Sequence, residues 1–94
     1  MTTPRSQRRV VLYTGRVQGV GFRYTTHRIA AGYPVTGYVR NLPDGRVELV
    51  AEGMSSTLDQ FLSDVRQHFS GHLRGENCEQ MPGTNEFSQF EIRT

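Results

Sequence analysis

The order of apolar patterns along the chain predicts an α+β sandwich, with two helices on one face of an antiparallel sheet. Three observations carry that expectation. Two stretches place apolar residues at helical spacing, several shorter ones alternate as strands do, and Pro43-Asp44-Gly45 forms a tight turn between two of those strands.

Residues 1 to 8 are polar, contain Pro4 and lack periodicity, so they read as a flexible tail ahead of a domain over residues 9–94. From Arg9 the residues Val10, Val11, Leu12, Tyr13 and Val17 favour a strand that ends at Gly15 or just beyond. Apolar or small residues then recur at 22, 26, 29, 30 and 33, one face of a helix, and Gly32 and Pro34 stop it. Val35 to Leu42 and Arg46 to Gly53 form the hairpin, and Val47, Leu49 and Ala51 share one face of its second arm. A second helix carries Leu58, Phe61, Leu62, Val65 and Phe69 as its apolar stripe. Ser55 or Ser56 is expected to cap it, with Asp59 at capping-box spacing from Ser56. The stretch from His72 to Glu86 is polar and poor in periodicity; a strand over 73–81 and a turn at Pro82-Gly83 are the best reading. Phe90 and Ile92, two apart, mark a short terminal strand. The order is βαββαβ with one extra short strand. Two strand-helix-strand units arranged so make the ferredoxin-like sandwich.

Composition narrows the class. A chain of 94 residues is one compact domain that buries roughly 60 to 70% of its unfolded surface. The apolar run Val10 to Tyr13 is too short for a signal-peptide core or a membrane span, so a soluble cytoplasmic protein is expected. The single cysteine, Cys78, lies between Asn77 and Glu79 and reads as a small, partly buried filler, and no paired Cys or His spacing suggests zinc. Charge is uneven: residues 1–46 hold eight arginines and one acid, Asp44, whereas residues 47–94 hold three arginines and eight acids. A basic half surrounding a binding loop would concentrate a small anion there.

That loop is Gly15-Arg-Val-Gln-Gly-Val-Gly-Phe-Arg23, between the first strand and the first helix. Glycine lets successive N–H groups converge, a helix N-terminus adds unpaired donors with partial positive charge, and arginine supplies a planar two-pronged donor. The combination is an anion cradle. The histidines suggest no such chemistry: His27, His68 and His72 are scattered and have no acid or nucleophile at a telling spacing. Glu48 and Glu52 share a strand face, but i, i+4 along a strand is about 13 Å, too far for concerted carboxylate work, and both read as solvated.

Together with Gly37-Tyr-Val-Arg-Asn41, Asp44-Gly-Arg-Val-Glu48 and the terminal Phe90-Glu-Ile-Arg93, the loop resembles the acylphosphatase signature. The resemblance implies a ferredoxin-like fold and hydrolysis of a carboxyl-phosphate anhydride to carboxylate and phosphate. It implies no metal and no organic cofactor, and it marks Arg23 as the arginine that binds substrate. Backbone N–H groups of Gln18, Gly19, Val20, Gly21, Phe22 and Arg23 would then ring the phosphoryl oxygens, and the Asn41 carboxamide, at the end of the second strand, would orient water for in-line attack. The expected partners are a small acyl phosphate and inorganic phosphate. The chain is expected to be a monomer with no nucleic-acid or membrane partner.

Three departures stand beside the match. Tyr33-Pro34-Val35 replaces a Leu-Gly-aliphatic step, Leu42 takes a place where some members have threonine, and Gly71 to Cys78 differs from the usual run after the second helix. Short or irregular pairing of the fourth strand is therefore expected. The alternative reading is a catalytically inactive anion-binding domain or an RNA-binding module on the same fold. The second needs stacking aromatics on both central strands, and Arg46 to Gly53 has none.

Overall fold

The computed structural model describes residues 6–19 and 21–94. Along these run β1 (Gln7–Gly15), α1 (Phe22–Ala30), β2 (Thr36–Asn41), β3 (Val47–Gly53), α2 (Ser55–His68), β4 (Leu73–Pro82) and β5 (Phe90–Arg93). The strands form one sheet in the order β4-β1-β3-β2-β5. The first four are antiparallel to their neighbours, and β5 joins parallel to β2, which makes the sheet mixed. The first strand starts at Gln7, inside the span read as a tail; the rest of that tail, residues 1–5, lies outside the described residues.

Period-2 alternation decides which face is covered. Val11 and Tyr13 of β1, Val39 of β2, and Val47, Leu49 and Ala51 of β3 all point to the helices. Phe22, Thr26 and Ala30 of α1 and Leu58, Phe61, Leu62 and Val65 of α2 meet them from above. The first residue of α1 is also a core anchor: the Phe22 ring stacks on Phe69 at 4.2 Å and tilts against Tyr13 at 5.0 Å. Truncating a ring so enclosed costs about 3–5 kcal/mol. The start of α1 is therefore fixed by packing. Among the described residues no helix is long and apolar enough to cross a membrane.

Four expectations need correction. The cap of α2 is Met54, in extended conformation with no side-chain cap. The serine and the acid meant for capping serve Arg9 instead, which reaches from β1 to Asp59 Oδ1 at 2.8 Å and to Ser55 Oγ at 3.2 Å. Cys78 is exposed, because β4 is an edge strand whose residues 76 to 80 are all exposed. The fourth strand is neither short nor irregular along most of its length: it pairs with β1 from Gln7↔Pro82 to Thr14↔Gly75 and shifts register only at Gly15.

Glu52 is the fourth: it is 3% exposed rather than solvated. After β4 the chain returns from one sheet edge to the other, and residues 84–87 cover the end of the outer face. There the Glu52 carboxylate accepts from Arg8 Nε at 2.7 Å, from the N–H groups of Thr84 and Asn85 at 3.0 and 2.9 Å, and from the Thr84 hydroxyl at 2.9 Å. Arg8 also pairs with Glu86, and its guanidinium lies 5.0 Å from the centre of the Phe87 ring. Burial alone would push the carboxyl up. The four donors outweigh it and hold Glu52 below its ordinary value of 4.5.

A carboxyl held low when folded contributes stability above its unfolded value and loses that contribution as pH falls through the folded value. Glu52→Gln should thus cost about 3 kcal/mol near neutral pH, the scale for breaking a buried ion pair. The gap from wild type should close below pH 4.5. Denaturant melts of both proteins across that range check this, and a gap independent of pH would contradict it.

Candidate active site

β1 ends where the Arg16 N–H donates to the His72 carbonyl at 2.9 Å, and Val17, fully buried, plugs the following loop into the core. Gly19 and Gly21 both have positive φ, 78° and 76°. A Cβ at either would meet nothing within 4 Å. Glycine is needed there for backbone conformation, which costs other L-residues roughly 1–2 kcal/mol, and not for space.

Gly21 is the N-cap of α1, so no side chain caps the helix, and the first intrahelical bond runs from Thr25 N–H to the Gly21 carbonyl at 2.9 Å. The N–H groups of Phe22, Arg23 and Tyr24 precede that bond and have no partner within the helix. No acid stands in the first turn to offset the positive end of the helix dipole. These donors open into a pocket of about 200 Å³. Its lining includes Gly19, Gly21, Phe22, Arg23 and, from the end of β2, Asn41. Arg23 and Asn41 come together although a helix and a strand separate them in sequence. Val20 lies outside the described residues.

Two contacts brace this pocket and the loop beside it. Arg23 Nη1 donates to the carbonyl of Arg93 at 3.0 Å, so β5 steadies the guanidinium from the sheet edge. Beside the pocket, and outside its lining, the Gln18 side chain reaches the β2–β3 turn: its Nε2 donates to the carbonyls of Leu42 and Arg46 at 2.8 and 2.9 Å. Leu42 and Arg46 close the β2–β3 turn through the Leu42 N–H to Arg46 carbonyl bond at 2.8 Å. The glycine loop is thereby tied to the hairpin that carries Asn41. Nothing in the sequence could reveal that role, because both acceptors are backbone atoms brought close only by the fold.

Other candidates fall elsewhere. Thr26 is fully buried in the core and His27 and His68 are exposed away from the pocket. Glu48 pairs with Arg40 at 2.7 Å and accepts from the Tyr38 hydroxyl. Tyr13, the aromatic available to an RNA-binding surface, is turned into the core. The charge asymmetry of the sequence is partly offset in space: Arg8, Arg9 and Arg40 pair with Glu52, Asp59 and Glu48. Arg23 forms no ion pair with a carboxylate among the described residues. Its charge faces the pocket uncompensated. No three of His, Cys, Asp and Glu come together there in a group that could hold a metal ion, again among the described residues.

Solved structures share this architecture throughout. The crystal structure of an acylphosphatase from Bacillus subtilis superposes with a TM-score of 0.80 at 31% identity, covering 95% of this chain and 99% of its own. An acylphosphatase from Coxiella burnetii gives 0.82 at 28%, covering 99% and 100%. The class is thus a ferredoxin-like sandwich with an open helix end facing a hairpin tip. In sequence, the Acylphosphatase family model matches residues 9–92, and the acylphosphatase of Methylococcus capsulatus is 45% identical over 83 residues, 87% of this chain and 90% of that protein. The chain belongs to the acylphosphatase family, whose members are enzymes.

If Gln18 preorganises the pocket, Gln18→Ala should weaken inorganic phosphate roughly tenfold, since the loop must then be ordered on binding. The unfolding temperature should fall by no more than about 8 °C, the effect of two exposed hydrogen bonds. Calorimetric titration checks this, and unchanged phosphate affinity would remove the tether from the account.

Proposed function

We propose that this protein hydrolyses the carboxyl-phosphate bond of small acyl phosphates, using the cradle for the phosphoryl group and Asn41 for the water. The observation that carries the reading is the meeting, in one pocket, of an uncapped helix N-terminus, an arginine without a carboxylate partner and a carboxamide from a different element. Family membership supports the reaction class.

Peripheral phosphoryl oxygens carry charge throughout the reaction. The backbone N–H groups of Gly19, Gly21, Phe22 and Arg23 donate to them, as does that of Gln18 beside them, and the Arg23 guanidinium adds a bidentate contact. Because Arg93 holds one arm of Arg23, little side-chain freedom remains to be lost on binding. The Asn41 carboxamide accepts from a water with its oxygen and so places the water oxygen in line with the bond to be broken. As that oxygen bonds to phosphorus, the bond from phosphorus to the carboxyl oxygen breaks and carboxylate leaves with its electron pair. The water's proton passes to a phosphoryl oxygen. Carboxylate is a good leaving group, so no acid is required to protonate it. A small domain can therefore catalyse the reaction by positioning and charge stabilisation.

Turnover of benzoyl phosphate with EDTA present tests the reading. Arg23→Ala should lower turnover by roughly a hundredfold or more, the cost of removing a principal oxyanion donor, and should abolish phosphate inhibition. Near wild-type activity would overturn the assignment. Asn41→Ala should lower kcat by roughly tenfold or more while inorganic phosphate still binds, and equal losses in both would refute a water-orienting role. Phosphate binding without turnover in the wild type would favour the inactive anion-binding alternative.

A further inference from the structure

The described residues leave three large hydrophobic side chains exposed: Tyr24 at 63%, Met54 at 44% and Ile92 at 40%. Two of the three, Tyr24 and Ile92, line the pocket that holds Arg23 and Asn41. Both follow from the local geometry. Phe22 turns into the core and fixes the rotation of α1, so Tyr24, two residues on, is carried to its outer side near the mouth. Phe90 packs against the core with its ring 5.7 Å from Phe61, and Ile92 is two residues further along β5 on the same sheet face. At that point the strand has reached the end of α1, where Arg93 holds Arg23, and Ile92 is left uncovered beside the pocket.

The polar groups of the pocket account for a phosphoryl group and a water. They leave the two apolar side chains at its mouth without a role, and it is their place in the lining, more than their exposure, that points to a ligand. We infer that Tyr24 and Ile92 form a subsite for the acyl group, selecting aromatic or branched apolar acyl phosphates over small or charged ones. The inference rests on the function proposed above and adds the substrate class.

With phosphate held at the helix end, the acyl group must leave through the mouth between these side chains. The Tyr24 ring offers a flat apolar face of aromatic size and Ile92 a branched aliphatic one. Among the described residues Arg23 is the only charged one in the lining, and its guanidinium is committed to the anion and to Arg93. An acyl chain bearing a carboxylate or an amine would lose hydration there and gain no partner.

The test compares kcat/KM for benzoyl phosphate and acetyl phosphate, with inorganic phosphate inhibition measured alongside. In the wild type the ratio should favour benzoyl phosphate. Tyr24→Ala and Ile92→Ala should each lower that ratio, Tyr24→Ala by roughly tenfold, the worth of one aromatic contact with burial. Tyr24→Phe should keep it, since the ring face and not the hydroxyl makes the contact. A ratio that stays the same, including a parallel loss on both substrates, would overturn the subsite while leaving the hydrolytic reading intact. Absence of turnover on either substrate in the wild type would overturn both.

Discussion

Helix α1 begins on a glycine in left-handed conformation, without a capping side chain, and much of the remaining structure depends on how that exposed end is held. An uncapped helix end normally hydrogen-bonds to solvent or to a ligand. Here it cannot drift, because its first residue, Phe22, is locked between Tyr13 and Phe69 in the core. Packing therefore supplies the rigidity that a capping residue would otherwise supply, and the N–H groups are left for something else. A helix end with free donors on a rigid base is the physical requirement for a preorganised anion site.

Three distant parts of the chain bear on that end. Gln18 ties the loop to the β2–β3 turn, the Arg93 carbonyl holds Arg23, and the Arg16 N–H bonds to His72 at the start of β4. Each contact joins backbone to a polar group across a long sequence separation, so the site exists only in the complete fold. The hydrogen-bonded knot around Glu52 lies on the outer face of the sheet and holds the segment that delivers β5 to its parallel position beside β2. It supports the site at a distance, because β5 carries both Arg93 and Ile92.

The features legible in the sequence were those with local causes. Helical stripes, the alternation of β3 and the Pro-Asp-Gly turn each arise from neighbouring residues, and they placed the elements of the sandwich within a few positions. The glycine spacing likewise marked the loop, and the family resemblance singled out Arg23 and Asn41, which do share a pocket. Features with non-local causes stayed hidden. Glu52 looked solvated because its covering residues, Thr84 to Phe87, come from an aperiodic segment more than thirty positions later. The tether made by Gln18 was hidden for a related reason, its acceptors being carbonyls. Ser55 matched a cap pattern, yet Arg9 from another strand drew Ser55 and Asp59 into a different network.

The central claim is that a free helix end and Arg23 together hold a phosphoryl group. Titrating isotopically labelled protein with inorganic phosphate, and following each backbone amide by NMR, tests it most directly. The largest saturable shifts should fall at Gly19, Gly21, Phe22, Arg23 and Tyr24, with smaller ones at Asn41, and all should vanish in Arg23→Ala. Shifts centred on another surface, or the same shifts without Arg23, would contradict it.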